Sequence, residues 1–162
     1  MRIGITGHSN LAPDSVPLVT EALRHAVEKV RVGAGRPLIG VTCLARGADQ
    51  LFARAVLELG GQIEVVLPAS DYGERKVKPD NAAEFGELIG RAVTVTTMPF
   101  EQSNREAYIA ASEHVLATVE ALVAVWDGQP PDGHGGTGDV VAAAGERNLP
   151  VTVVWPDGAT RA

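Results

Sequence analysis

Apolar runs of strand length alternate along the chain with stretches in which apolar residues recur every three or four positions. The runs at 2–7, 37–43, 62–67, 92–97, 120–126 and 149–155 predict six strands. Most of them carry consecutive β-branched or other apolar residues, the pattern of strands buried on both faces. Helices are predicted between them, at 14–32, 47–59, 79–90, 104–117 and 137–147. In the first, Val16, Val19, Leu23, Val27 and Val30 form one apolar face, with Asp14 as the expected N-cap and Gly33 as the expected stop.

Strict alternation of this kind implies βαβ units, and right-handed crossovers then place helices on both faces of a parallel sheet. The expected fold is α/β, a Rossmann-like three-layer sandwich with a mainly parallel sheet of about six strands. A length of 162 residues suits one domain, 1–162, with a substantial core. In such sheets ligands bind beyond the carboxyl ends of the strands, where the strand order reverses, so the segments that follow the strands hold the candidate chemistry.

After the first strand comes Thr6-Gly7-His8-Ser9-Asn10. Gly7 lets backbone approach a ligand closely, and Thr6, His8, Ser9 and Asn10 offer hydrogen-bonding groups; a tight turn with exposed polar residues is the competing reading. With Gly4 the pattern is Gly-x-x-Gly, which is not the dinucleotide fingerprint. After the second strand, Arg46-Gly47-Ala48-Asp49 opens a helix whose free amides favour an anion. Asp49 either stabilises that helix start or bonds a ligand hydroxyl, and Cys43 packs in the core. After the third, the mixed-charge run 74–78 reads as a solvated, mobile loop, with a phosphate contact from Lys76 or Lys78 the weaker reading.

The fifth strand leads through Trp126-Asp127-Gly128 to Gly135-Gly136-Thr137-Gly138-Asp139 at a helix start. Glycines there expose backbone amides, the helix dipole favours negative charge, and the Thr137 hydroxyl joins them, so this loop is expected to cradle a phosphate. A flexible connection capped by Thr137 or Asp139 is the alternative.

Charge and composition narrow the ligand. A net charge of −6 argues against general nucleic-acid binding, which needs clustered Lys and Arg, but leaves room for a small anion. No apolar run approaches the roughly 20 residues of a membrane helix, and no leader pattern precedes the first strand. The one cysteine, Cys43, agrees with a reducing cytoplasm. No metal or cofactor is called for.

Three segments, residues 4–8, 46–49 and 126–139, together resemble the SLOG superfamily, the Rossmann-like group that includes DprA-type proteins and the Lonely Guy phosphoribohydrolases. The resemblance implies a nucleotide-related ligand with its phosphate near 135–138, and a homodimer. In Lonely Guy enzymes a Pro-Gly-Gly-x-Gly-Thr-x-x-Glu motif binds the phosphate and supplies a catalytic Glu, which works with an Arg on the preceding helix. Here Arg105 is the counterpart of that Arg, and Asp139 or Glu146 would have to replace the Glu. The sequence reads Gly-Gly-Thr-Gly-Asp, without the Pro or the same glycine spacing. Two functions follow: a module that binds or senses a nucleotide, or an N-glycosidase acting on a nucleoside monophosphate with Asp139 and Arg105 as catalytic residues. DprA-like binding of single-stranded DNA is disfavoured by the acidic charge and the few aromatics available for stacking. The helix at 104–117, with Tyr108, Ile109, Val115 and Leu116, is the expected subunit contact.

Overall fold

The strand Ala121–Val125 (β5) is buried at every position, as a strand with helices against both faces must be. In the computed structural model, which describes residues 1–31, 35–130 and 136–162, β5 lies inside a six-stranded sheet. The other strands are Arg2–Gly7 (β1), Ile39–Thr42 (β2), Gln62–Leu67 (β3), Thr94–Thr97 (β4) and Val151–Val154 (β6). Their order is β4-β3-β2-β1-β5-β6, and every pairing is parallel. From β1 the chain builds outward to β4, then returns to the other side of β1 for β5 and β6. The order therefore reverses between β1 and β5.

Among the described residues six α-helices accompany the strands: α1 (Val16–Arg31), α2 (Ala48–Glu58), α3 (Tyr72–Arg75), α4 (Ala82–Gly90), α5 (Arg105–Thr118) and α6 (Thr137–Glu146). Helix α2 packs against both α1 and α4 on one face of the sheet, and α5 and α6 cover β1, β3, β5 and β6 on the other. The period-two alternation of β1 sorts its residues between them. Ile3 and Ile5 enter the larger core with Leu23, Val27, Phe52 and Val56, whereas Gly4 faces Val115, Val119 and Leu122. Burying each such Phe, Leu or Ile contributes roughly 1.5–3 kcal/mol.

Two local expectations are corrected. Asp14 does not cap α1: it sits inside a 3-10 turn at Pro13–Ser15, where the preset φ of Pro13 starts the helix and no side chain caps it. The run 74–78 is not simply a solvated loop, because residues 72–75 form α3 and Val77 packs against the core. Gly33, the expected stop of α1, lies outside the described residues. Cys43 packs, half-buried, against the β2–α5 cluster, and burial pushes its thiol pKa up, which disfavours the reactive thiolate.

Candidate functional site

At the carboxyl edge of the sheet, close backbone packing gathers the loops. A side chain on Gly7 would place its Cβ 2.5 Å from that of Ala48 and 2.9 Å from that of Val125. Without one, the start of α2 presses against the end of β1. The His8 amide donates to the Val125 carbonyl at 3.1 Å, and the Ala48 amide donates to the His8 carbonyl at 3.2 Å. Gly47 has φ +85°, and a Cβ there would lie 2.7 Å from the His8 carbonyl oxygen. Gly47 and Ala48 thus carry the loop after β1, and neither lines the cleft at the switch point.

Asp49 is also a supporting residue. It is buried in the first turn of α2, and its Oδ2 accepts the Ala45 amide at 3.3 Å. Burial raises its pKa from 3.8 to about 7. Beside it, Gln50 and Asn81 exchange reciprocal amide hydrogen bonds of 2.8 and 2.9 Å, which tie α2 to the start of α4.

His8 and Asp127 join the two strands that flank the reversal. The backbone N–H of Asp127 donates to His8 Nε2 at 3.1 Å. The Asp127 carboxylate lies 3.3 Å from the same nitrogen. Burial first, then Arg161, holds the imidazole below its ordinary pKa, while Asp127 opposes them. The amide of Gln129, donating at 3.0 Å, and then the positive charge of Arg161 hold the Asp127 carboxyl below its ordinary pKa. Trp155 meets the His8 ring edge-on, with centroids 5.5 Å apart. Gly128, at φ +81°, turns the chain after Asp127.

Between these loops lies a cleft of about 470 Å³, lined by Gly7, His8 and Ser9 on one side and by Gly136, Thr137 and Gly138 on the other. Gly136 is the N-cap of α6; its carbonyl accepts the amides of Asp139 at 3.1 Å and Val140 at 3.3 Å. The amides of Thr137 and Gly138 precede the first of these bonds, and among the described residues they meet no acceptor. Neither Thr137 nor Asp139 acts as the N-cap, since Thr137 begins the helix and Asp139 is two residues further in. Gly135, the first glycine of the expected cradle, lies outside the described residues.

Arg105 and Asp139 lie on one groove, beside the cleft. This groove, of about 220 Å³ between α5 and α6, shares Tyr108, Ser112 and Val140 with the cleft. The expected subunit face on α5 divides: Val115 and Leu116 belong to the internal core, while Tyr108 and Ile109 remain exposed.

Sequence reasoning missed Arg161. The tail crosses back over the loop after β1, where the Ala12 amide donates to the Thr160 carbonyl at 3.0 Å and the Thr160 amide to Ser15 Oγ at 2.8 Å. This sets Arg161 on the cleft wall, with Nε donating to Asn10 Oδ1 at 3.2 Å and Nη1 3.6 Å from Asp127 Oδ2. Among the described residues no cluster of His, Cys, Asp and Glu has the arrangement of a metal site, and no helix is long and apolar enough to cross a membrane.

No family model matches the chain, and no curated protein sequence does. Its likeness is to solved structures. DprA from Streptococcus pneumoniae superposes with a TM-score of 0.70 at 16% identity, covering 97% of this chain and 51% of that one. DprA from Helicobacter pylori, whose structure describes a single-stranded DNA binding mode, gives 0.66 at 14%, over 99% of this chain and 68% of that one. The Moco carrier protein from Chlamydomonas rheinhardtii gives 0.54 at 17%, over 94% and 74%. The chain spans about half the length of the pneumococcal DprA. The chain shares with these proteins a Rossmann-like α/β fold, as the alternation of strands and helices along its sequence led us to expect.

Proposed function

We propose that this chain is a cytoplasmic, homodimeric binding or sensing module for a nucleotide or nucleotide-derived ligand, held with a phosphate at the start of α6. One observation carries the reading. The N-terminal turn of α6, its Thr137 and Gly138 amides without acceptors among the described residues, opens onto a cleft at the point where the strand order reverses. A helix start of this kind favours anions through its free N–H groups and its dipole. Arg161 adds a cation on the opposite wall, and a volume of about 470 Å³ is within the range of small-molecule sites. His8 and Asp127 lock the two loops in register.

Mass spectrometry of small molecules retained by the purified protein names the ligand, and calorimetry tests the cradle. Gly136 has an extended backbone, with φ −75° and ψ 177°, so Gly136→Val leaves the chain path intact while its side chain obstructs the helix start. Nucleotide affinity is expected to fall at least about tenfold, or roughly 1.4 kcal/mol. Unchanged affinity in the folded variant removes this loop from the site. The homodimer contact proposed is the exposed patch around Ile109 on α5; a monomeric mass by light scattering at micromolar concentration overturns it.

A second reading draws on the groove that holds both Arg105 and Asp139. There, a nucleoside monophosphate with its phosphate at α6 would turn its glycosidic bond toward Asp139, the carboxylate that would activate water in this reading. Release of free base from nucleoside monophosphates, abolished by Asp139→Asn with affinity retained, is the outcome that makes the chain a phosphoribohydrolase. Absence of base release from every monophosphate that binds leaves the binding module.

A further inference from the structure

A second cavity, of about 600 Å³, continues from the first along the carboxyl edge of the sheet. The two share Ser9, Asn10, Ala45 and Tyr108 as walls, so they form one trough bent around Tyr108. The second chamber differs in charge from the rest of a chain that carries a net −6. Arg46, Lys76 and Lys78 line it, and among the described residues no acidic side chain does. Arg46 pairs with Asp80 at 2.8 Å outside the lining, and Lys78 also senses that carboxylate; Lys76 and Lys78 form no direct ion pair among the described residues. An anion entering the chamber meets three cations in its lining; Asp80 pairs one of them, and the Asp49 and Asp71 carboxyls lie behind Tyr72 and Tyr108. Tyr108, at the bend, is half-exposed and braced edge-on by Tyr72 with centroids 6.3 Å apart, which leaves ring surface for a base to stack on.

We infer that the ligand is a nucleotide with two separate phosphate groups. One lies at the start of α6, the nucleoside passes Tyr108, and the second phosphate is held by Lys76, Lys78 and Arg46. This rests on the function proposed above for the first chamber. It adds a chemical class, because a nucleoside monophosphate places no phosphate beside Lys76 and Lys78. Two sources supply the same chemistry: a free nucleoside 3′,5′-bisphosphate, or the 5′-phosphorylated end of an oligonucleotide, whose next phosphate occupies the equivalent position.

The test is calorimetry on the full chain with the four nucleoside 5′-monophosphates, the matching 3′,5′-bisphosphates and the 5′-phosphorylated dinucleotides. For the base that binds best, the bisphosphate is expected to bind at least about tenfold tighter than the monophosphate, since charge-assisted contacts are strong in a cleft. In the double variant Lys76→Gln, Lys78→Gln that ratio should fall to within about twofold of one. Both lysines are exposed, so the variant is expected to fold; its circular dichroism and melting curve check this. Equal affinity of mono- and bisphosphate for the wild type, or a ratio that survives in the double variant, overturns the inference while leaving the first chamber's function standing. Binding of neither overturns both. A dinucleotide at least tenfold tighter than the bisphosphate assigns the chamber to a strand end, and comparable affinities assign it to a free nucleotide.

Discussion

His8 and Asp49 are both buried beneath the candidate site, and each prefers its neutral form, with opposite consequences for stability. The folded His8 titrates below its ordinary 6.5. Between that lowered value and 6.5 the unfolded chain binds more protons, so the stability His8 contributes is present above 6.5 and is lost as pH falls through the window. Asp49 is raised from 3.8 to about 7. Between these values the folded chain binds more protons, so this group's contribution is highest at acid pH and falls as pH rises. A shift of that size corresponds to a few kcal/mol, so Asp49 is expected to dominate where the windows overlap. Denaturant unfolding from pH 4 to 8 separates the two by difference. Asp49→Asn should gain on the wild type as pH rises toward 8, and His8→Gln should gain on it as pH falls from 6.5. Parallel curves for either variant dismiss that residue. Arg161→Ala removes a charge that depresses the His8 pKa, so the imidazole's NMR titration should move up toward 6.5.

At the scale of elements, the loop ends are held by backbone contacts that admit no substituent. Gly47→Ala combines a Cβ 2.7 Å from the His8 carbonyl with a φ of +85°, and a loss of about 2 kcal/mol or more is expected in thermal unfolding. A milder change checks the scale: Asn104 caps α5 by accepting the Ala107 amide at 2.9 Å, so Asn104→Ala should cost about 1 kcal/mol. Elements of this kind were legible in the sequence to different degrees. Strands β1 and β3 occupy the predicted residues because their apolar runs are bounded by polar or glycine-rich turns. Strand β2 starts two residues later than predicted: Leu38 is buried but stands outside the ladder, and hydropathy registers burial rather than pairing. Helix α3 went unread because four residues cannot show a helical period. In the site, the glycines of the α6 start and the His8 segment were visible as motifs. Arg161 was not, since only tertiary bonds through Asn10, Ala12 and Ser15 carry a residue near position 160 onto the first strand's loop.

If the proposed nucleotide ligand is held in this trough, the distribution of charge over the molecule limits how long a strand it can belong to. Helicobacter pylori DprA, which shares this fold, binds single-stranded DNA. Here Arg46, Lys76, Lys78 and Arg161 are gathered along one trough, and a total of −6 means that the remaining surface carries an even larger negative excess. A phosphate beyond the trough meets a surface whose summed charge is negative. Long polyanions gain affinity in proportion to the phosphates neutralised, whereas this chain offers cations for only the first few. Lengthening a 5′-phosphorylated oligonucleotide from two to about twenty nucleotides is therefore expected to raise affinity by less than about threefold. The salt dependence should likewise stay near that of the dinucleotide, because the longer strand releases few additional counterions. Fluorescence anisotropy on the length series at several salt concentrations reads both quantities. Affinity that climbs steadily with length, with a steepening salt slope, would mean that the strand follows a path across the surface outside the trough. The chain would then be a strand binder and not a receptor for a small nucleotide.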